Sequence, residues 1–400
     1  MKVVFTMGGI THYLSPLLER IVDKGVDIIM VIPEKKDAKT IGKGVKLIDQ
    51  RAKYKVIYSQ VKSMWYGKTA LIDLKVVLEK EKPDILVLGW PYFLQYYFDS
   101  SLRRLLKKLN VRLMIREIPF QVPPYGCLSY YKKYPVYDEN MQLLSRGISF
   151  YFRSWFLMQV RKFVYNRADA TLNYATSAYD VLPSYGIKKE LMFVTYNTCD
   201  TDTLLSRREQ VISTPPLLDP TKKRILHIGR LVKWKRVDLL LEAFSMLAPE
   251  YVDAELVIVG DGPELESLKD QANKLGLMSK ISFVGAIYDP LILGKYMYES
   301  TVYVLAGMGG LSINEAMCYS LPIICSVCDG TEKDLVVDGE NGFYFQEGDV
   351  HSLKEQIKKV LSDPQLAREL GNKSFEIIQS KINLDTVSTR YVEAFKTVLD

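Results

Sequence analysis

The stretch Thr301–Ile323, TVYVLAGMGGLSINEAMCYSLPI, carries the reading that decides the fold. An apolar run, Val302–Leu305, leads straight into Gly307, Gly309 and Gly310. A helix is expected from Ser312 to Tyr319, and Pro322-Ile323 opens the next strand. Strand, glycine-rich turn, helix and strand form the repeating unit of a parallel sheet covered on both faces. The backbone amides of Gly310, Leu311 and Ser312 then stand at a helix N-terminus, where partial positive charge collects and a phosphate can be cradled. Glu315 has two readings. It is the third member of a capping box with Ser312, or it accepts hydrogen bonds from the 2',3'-diol of a ribose.

The same alternation extends in both directions. Upstream it starts with Val3–Phe5, Gly8-Gly9 and a helix over 12–24, and continues through strands at 27–32, 85–88 and 111–115. A loop-rich and helical insertion at 120–167 interrupts it before strands at 170–173 and 192–195, with a helix near 175–184 between them. A second series has strands at 224–228, 255–259, 281–284, 301–305 and 322–325, and helices at 236–247 and 264–275. With 400 residues, the chain has room for two to three domains of about 150 residues each. The expected organisation is an α/β domain over 1–205, a second over 206–380, and a final helical segment over 381–400. The charged and proline-bearing stretch 201–221 reads as the linker. In open parallel sheets, ligands bind beyond the carboxyl ends of the strands, so the glycine turns mark the candidate site.

Arg230 and Lys235 lie in the turn after the strand 224–228, within ILHIGRLVKWKRVD (225–238). A guanidinium fork beside a point-charge ammonium suits a diphosphate leaving group. Read alone, the segment also fits a solvated basic turn, since Lys233 and Arg236 flank it. Gly260 and Gly262, in VGDGPE (259–264), either face a ligand or make an ordinary strand-to-helix turn, with Pro263 suited to the first helical turn. Gly285 ends another strand and admits a ligand edge. Asp200-Thr201-Asp202 has the letters of a metal motif but fits a turn and helix start better.

Composition bounds the partners. Hydrophobic residues at 48% and charged residues at 25% exclude a disordered or collagen-like chain. A balance of 53 basic to 47 acidic residues, net +6, is too slight to indicate nucleic acid. Three histidines argue against zinc, and no metal is expected. Five cysteines suggest a reducing compartment; Cys318, Cys325 and Cys328 read as core residues rather than a redox motif. The N-terminus reads as a buried strand rather than a signal peptide, and no apolar run is long enough to span a membrane. A cytoplasmic protein is expected.

The basic excess gathers in the insertion. Lys132, Lys133, Arg146, Arg153, Arg161, Lys162 and Arg167 face only Asp138 and Glu139 between 129 and 167. Phe152, Trp155, Phe156 and Phe163 fall on one face of an expected helix. Such a face lies on an anionic membrane surface or packs into the first domain, and both readings stand at this point.

Taken together these segments resemble the retaining glycosyltransferases of family 4. Gly229-Arg230-Leu231 with Lys235 matches that family's GRL-x-x-x-K motif, and Val259–Glu264 and Gly8-Gly9 match its glycine loops. Asn197-Thr198-Cys199-Asp200 matches its N-G-x-D, with Thr198 for the usual glycine, and Asp338–Phe343 resembles its late hairpin. The resemblance implies the GT-B fold, two Rossmann-like domains facing each other across a cleft, with the last helix crossing back to the first domain. It implies a sugar donor linked to UDP or GDP, bound by Gly8, Gly9, Gly229, Arg230, Lys235, Gly260, Gly262, Gly285, Gly309, Gly310, Leu311, Ser312 and Glu315. The chain departs from the family at one point. Two glutamates eight residues apart are usual in its E-G-F-G-L-x-x-x-E-A stretch, and here Glu315 is the second while Gly307 takes the place of the first.

The resemblance further implies same-face transfer, in which the leaving phosphate deprotonates the incoming hydroxyl, with no cofactor and no metal. Arg230 and Lys235 would stabilise that phosphate. On the acceptor side, Glu117 after the strand 111–115 and His12 after Gly8-Gly9 are the candidate catalytic groups, each with a bland alternative: a salt bridge for Glu117, a polar turn for His12. The acceptor expected is a glycan or a polyprenyl-diphosphate-linked glycan of bacterial surface polysaccharide (O-antigen or capsule). The enzyme would sit peripherally on the cytoplasmic face of the inner membrane through 148–165. The alternatives are a soluble acceptor, or a non-catalytic protein that binds nucleotide sugars.

Overall fold

The computed structural model describes residues 1–34, 53–117, 122–138, 140–327 and 330–400; Glu139 and Cys328, named above, lie outside them. The chain divides into two compact units. Unit 1 holds Met1–Val136, Ser145–Asn197 and Leu384–Asp400, and unit 2 holds Tyr137–Leu144 and Thr198–Asn383.

In unit 1 the described strands are β1 (Lys2–Thr6), β2 (Asp27–Pro33), β3 (Lys55–Ser59), the hairpin pair β4 (Val61–Ser63) and β5 (Thr69–Leu71), β6 (Ile85–Gly89), β7 (Arg112–Glu117), β8 (Ala170–Asn173) and β9 (Met192–Val194). All but the hairpin join one parallel sheet in the order β3-β2-β1-β6-β7-β8-β9. β6, ILVLG, is buried along its whole length. That is why the inner strands read as unbroken apolar runs: helices cover both faces, so neither face needs polar residues.

Unit 2 repeats the plan with β10 (Lys223–Ile228), β11 (Ala254–Val259), β12 (Ile281–Gly285), β13 (Val302–Leu305), β14 (Ile323–Cys325) and β15 (Gly342–Tyr344). Its sheet is parallel in the order β12-β11-β10-β13-β14-β15. β10 and β13 are central and adjacent, so the turns after them, 229–235 and 306–311, are brought side by side.

Several expectations are corrected. The stretch 201–221 is not simply a linker, because Thr201–Ser213 is a helix of unit 2. Asp200 caps it, accepting from the Thr203 amide (3.2 Å) and hydroxyl (2.7 Å), which is the work its carboxylate does here. The helix near 175–184 is a short turn, Ala178–Val181, followed by a 3₁₀ segment, Leu182–Tyr185. The four aromatics of the helix Gly147–Tyr165 do not form one exposed face. Phe156 and Phe163 pack against Tyr97, with centroids 6.3 and 5.0 Å away, while Phe152 and Trp155 stay exposed. Arg161 is not a surface cation either. Its side chain is 12% exposed and paired with Glu117.

Candidate functional site

The carboxyl ends of β10, β11, β12 and β13 bring most of the sequence candidates together in unit 2. The turn after β10 is stitched to the turn after β11. Gly229 N donates to Val259 O (3.0 Å), Leu231 N to Asp261 O (2.9 Å), and Glu264 N to Leu231 O (3.0 Å). Gly260 and Gly262 serve this close approach. A Cβ on Gly260 would stand 1.9 Å from Gly229 O, and one on Gly262 would stand 2.3 Å from Leu231 O. Gly260 also has a φ of +148°, a conformation that favours glycine. Gly285 accepts from the Gly260 amide at 2.9 Å. Its own Cβ direction is open, with nothing within 4 Å among the described residues.

Lys235 is buried, and its ammonium donates to the carbonyls of Met308 (2.7 Å) and Gly309 (2.6 Å). The Met308 amide in turn donates to Trp234 O at 2.8 Å. The cation thus holds the glycine loop in place from below, a role that spacing alone did not reveal. Gly307 is the tightest point of that contact. A Cβ there would lie 2.1 Å from Trp234 O and 2.7 Å from the Lys235 carbonyl carbon. Arg230 sits half-buried at the start of the same turn.

The helix Ser312–Cys318 follows the loop, with Leu311 as its N-cap and no side-chain cap. Ser312 Oγ lies instead 2.6 Å from the Tyr303 hydroxyl, which is 3.2 Å from Ile228 O. The capping box is therefore not formed, and Glu315 does not spend its carboxylate on Ser312. The amides of Gly310, Leu311 and Ser312 meet no acceptor among the described residues. Glu315 is in the first turn, half-buried, and desolvation pushes its pKa up to about 7.

His227, the next-to-last residue of β10, was not singled out by sequence. It is fully buried, and its Nδ1 lies 3.0 Å from Val304 O. A carbonyl can only accept, so Nδ1 carries the proton and Nε2, which has no partner among the described residues, is a bare acceptor. Burial holds its pKa down to about 4; the Val304 hydrogen bond opposes this and nearby Lys235 reinforces it. A neutral ring lies beneath the basic turn, and scarcity of histidine was the one available signal.

The remaining candidates belong to unit 1. Gly8 and Gly9 follow β1, and His12 is exposed, its ring 5.3 Å edge-on to Tyr13. Glu117 is buried at the end of β7. Arg161 donates to its Oε1 through Nε (3.0 Å) and Nη2 (2.6 Å), and the Tyr165 hydroxyl donates to Oε2. Both oxygens are occupied in pinning the helix Gly147–Tyr165 to the sheet, which is the salt-bridge alternative for this residue.

Comparison with known proteins bears on the family resemblance and on the fold. Residues 209–376 match the family described as glycosyl transferases, group 1. An uncharacterized glycosyltransferase of Haemophilus influenzae is 28% identical over 46% of this chain and 57% of its own length. The Campylobacter jejuni N-acetylgalactosamine-N,N'-diacetylbacillosaminyl-diphospho-undecaprenol 4-alpha-N-acetylgalactosaminyltransferase is 27% identical over 56% of this chain and 60% of its own. The chain thus spans a little over half the length of these relatives. Among solved structures, Anabaena HepE in complex with UDP aligns with a TM-score of 0.65 at 16% identity, over 99% of this chain and 100% of that one. The fold is GT-B.

Proposed function

We propose that the chain is a retaining, metal-independent glycosyltransferase that moves a hexose-type sugar from a UDP- or GDP-linked donor to a hydroxyl of a glycan or lipid-linked glycan in bacterial surface polysaccharide. The observation that carries this is the edge of unit 2. There the turn that carries Arg230, the glycine loop anchored by Lys235, and the amides of 310–312, which meet no acceptor among the described residues, lie at adjacent strand ends, with the desolvated carboxyl of Glu315 in the first turn of the helix that follows. The amides and Arg230 would hold the donor diphosphate and stabilise the charge that grows as the sugar departs. Same-face transfer uses that phosphate as the base, so no protein nucleophile is required. The test is transfer from a panel of UDP- and GDP-sugars to a membrane extract. No transfer from any donor, with nucleotide still bound, would leave the non-catalytic reading in its place.

Glu315 is proposed to accept hydrogen bonds from the donor ribose diol. Only its ionised form can accept both. With a pKa of about 7, it is half protonated at neutral pH, and its ionised share falls about fivefold between pH 7 and pH 6. Donor affinity is expected to fall by a similar factor, because the diphosphate diester of a nucleotide sugar takes up no proton in that range. Calorimetry with UDP-glucose at several pH values reads this, and Glu315→Gln should flatten the profile. A wild-type affinity that does not change with pH rules the contact out.

Membrane contact is proposed at a narrower surface than 148–165. Ile148, Phe152 and Trp155 are 90%, 64% and 48% exposed on successive turns, and Trp65 at the tip of the β4–β5 hairpin is 77% exposed. Arg146 and Arg153 flank them and would meet anionic headgroups. No helix among the described residues is long and apolar enough to cross a membrane.

A further inference from the structure

Arg116 lies on the face of the unit 1 sheet opposite Glu117 and is 9% exposed. Its Nε donates to the Tyr391 hydroxyl at 2.9 Å, its Nη2 donates to the Tyr174 hydroxyl, and its Nη1 lies 4.0 Å from Met7 Sδ. The guanidinium also stacks on the Tyr174 ring, 4.4 Å from its centroid. Every partner is uncharged. Burial, opposed by Arg116 itself, holds the Tyr174 phenol above its ordinary pKa, so it remains neutral. No carboxylate among the described residues pairs with Arg116, and neighbouring Glu117 is already taken by Arg161. A buried cation surrounded by phenols keeps part of its desolvation cost, and among the described residues an N–H group on each terminal nitrogen meets no acceptor.

The surroundings point the same way. Arg116 is the next-to-last residue of β7, and its Nη1 reaches Met7 in the turn that follows β1, at the carboxyl edge where an open parallel sheet receives ligands. In that turn the Thr11 hydroxyl is buried without a hydrogen-bond partner among the described residues. Met7, Gly8, Tyr13 and Tyr174 are each partly exposed, which leaves an approach from solvent. We infer that Arg116, framed by Tyr174 and the Met7–Tyr13 turn, is an anion-binding site that takes a phosphate or carboxylate group of the acceptor. The site stands on the geometry; its assignment to the acceptor rests on the transferase reading.

The test uses the full chain saturated with UDP, so that the diphosphate site of unit 2 is filled. Inorganic pyrophosphate, inorganic phosphate and succinate are then titrated by calorimetry, which separates a phosphate-type from a carboxylate-type acceptor. At least one of the anions is expected to bind, and Arg116→Gln to weaken it about tenfold or more with UDP affinity unchanged. Tyr174→Phe, which only removes the hydroxyl that orients Nη2, should weaken it about threefold. No anion binding to the UDP-saturated wild type, or unchanged affinity in whichever of the two variants is folded by circular dichroism, overturns the site. If UDP itself does not bind, the transferase reading fails while the Arg116 comparison is still read with pyrophosphate alone.

Discussion

Arg230→Ala is expected to lower kcat/KM for sugar transfer by about 100- to 1000-fold while leaving the melting temperature near wild type. That loss is the typical effect of removing one charged donor from a developing oxyanion in a site that excludes water. Lys235→Ala should be as damaging to transfer, for a different reason and with a second signature. Its ammonium is buried on the carbonyls of Met308 and Gly309, so the variant leaves both without their donor and frees the glycine loop. A stability loss of about 1–3 kcal/mol is expected with it, as for other buried hydrogen-bond donors. Thermal melts and steady-state kinetics on the two purified variants separate the roles. Near wild-type transfer by both would remove the diphosphate site, and an unchanged melt for Lys235→Ala would remove its anchoring role.

The alternation of strands and helices was legible because the central strands are covered on both faces and therefore read as continuous apolar runs, as in ILVLG of β6. The glycine turns were legible too, although their reasons differ from a simple approach to ligand. Gly260 and Gly262 are required by backbone passing backbone, at Gly229 and Leu231. What failed was whatever depended on a distant partner. Ser312 and Glu315 have the spacing of a capping box, but Tyr303 from the adjacent strand takes the serine hydroxyl. Glu117 finds Arg161 forty-four positions away, and no periodicity announces that pairing. The stretch 201–221 looked like a linker because its prolines and charges were read together. The helix start expected at Asp200 is there, but the helix runs on to Ser213, and the prolines come after it. Arg116 and His227 were invisible for the same reason, since burial of a polar side chain is decided by packing and not by its neighbours in sequence.

Gly307→Glu would recreate the glutamate that the resembled family carries, and it is expected to disable the protein rather than improve it. The obstacle is backbone, which cannot rotate aside as a flexible side chain can. A Cβ at 307 meets Trp234 O at 2.1 Å, closer than real Cβ contacts come. Relieving it must push the loop off the turn that holds it, breaking the Met308–Trp234 hydrogen bond and pulling two carbonyls from Lys235. Overpacking at a tight site costs about 1–3 kcal/mol. Loss of the buried hydrogen bonds adds about 1 kcal/mol or more each. Donor affinity should fall about 100-fold, since the amides of 310–312 move with the loop. Gly307→Ala is the sharper probe, because the clash begins at Cβ and needs no carboxylate; it should show most of the stability loss. Gly276→Ala, in the turn after the helix Leu265–Lys274, is the control. Its φ of +68° carries a backbone penalty of about 1 kcal/mol, but its Cβ direction is empty among the described residues, so donor binding should change little. Calorimetry with UDP and thermal melts on the three variants decide the matter. If Gly307→Ala behaves as wild type, the close approach is not what excludes a side chain here. If Gly307→Glu instead binds the nucleotide sugar more tightly, the missing glutamate is a lost contact and not a position that the turn at Trp234 has closed.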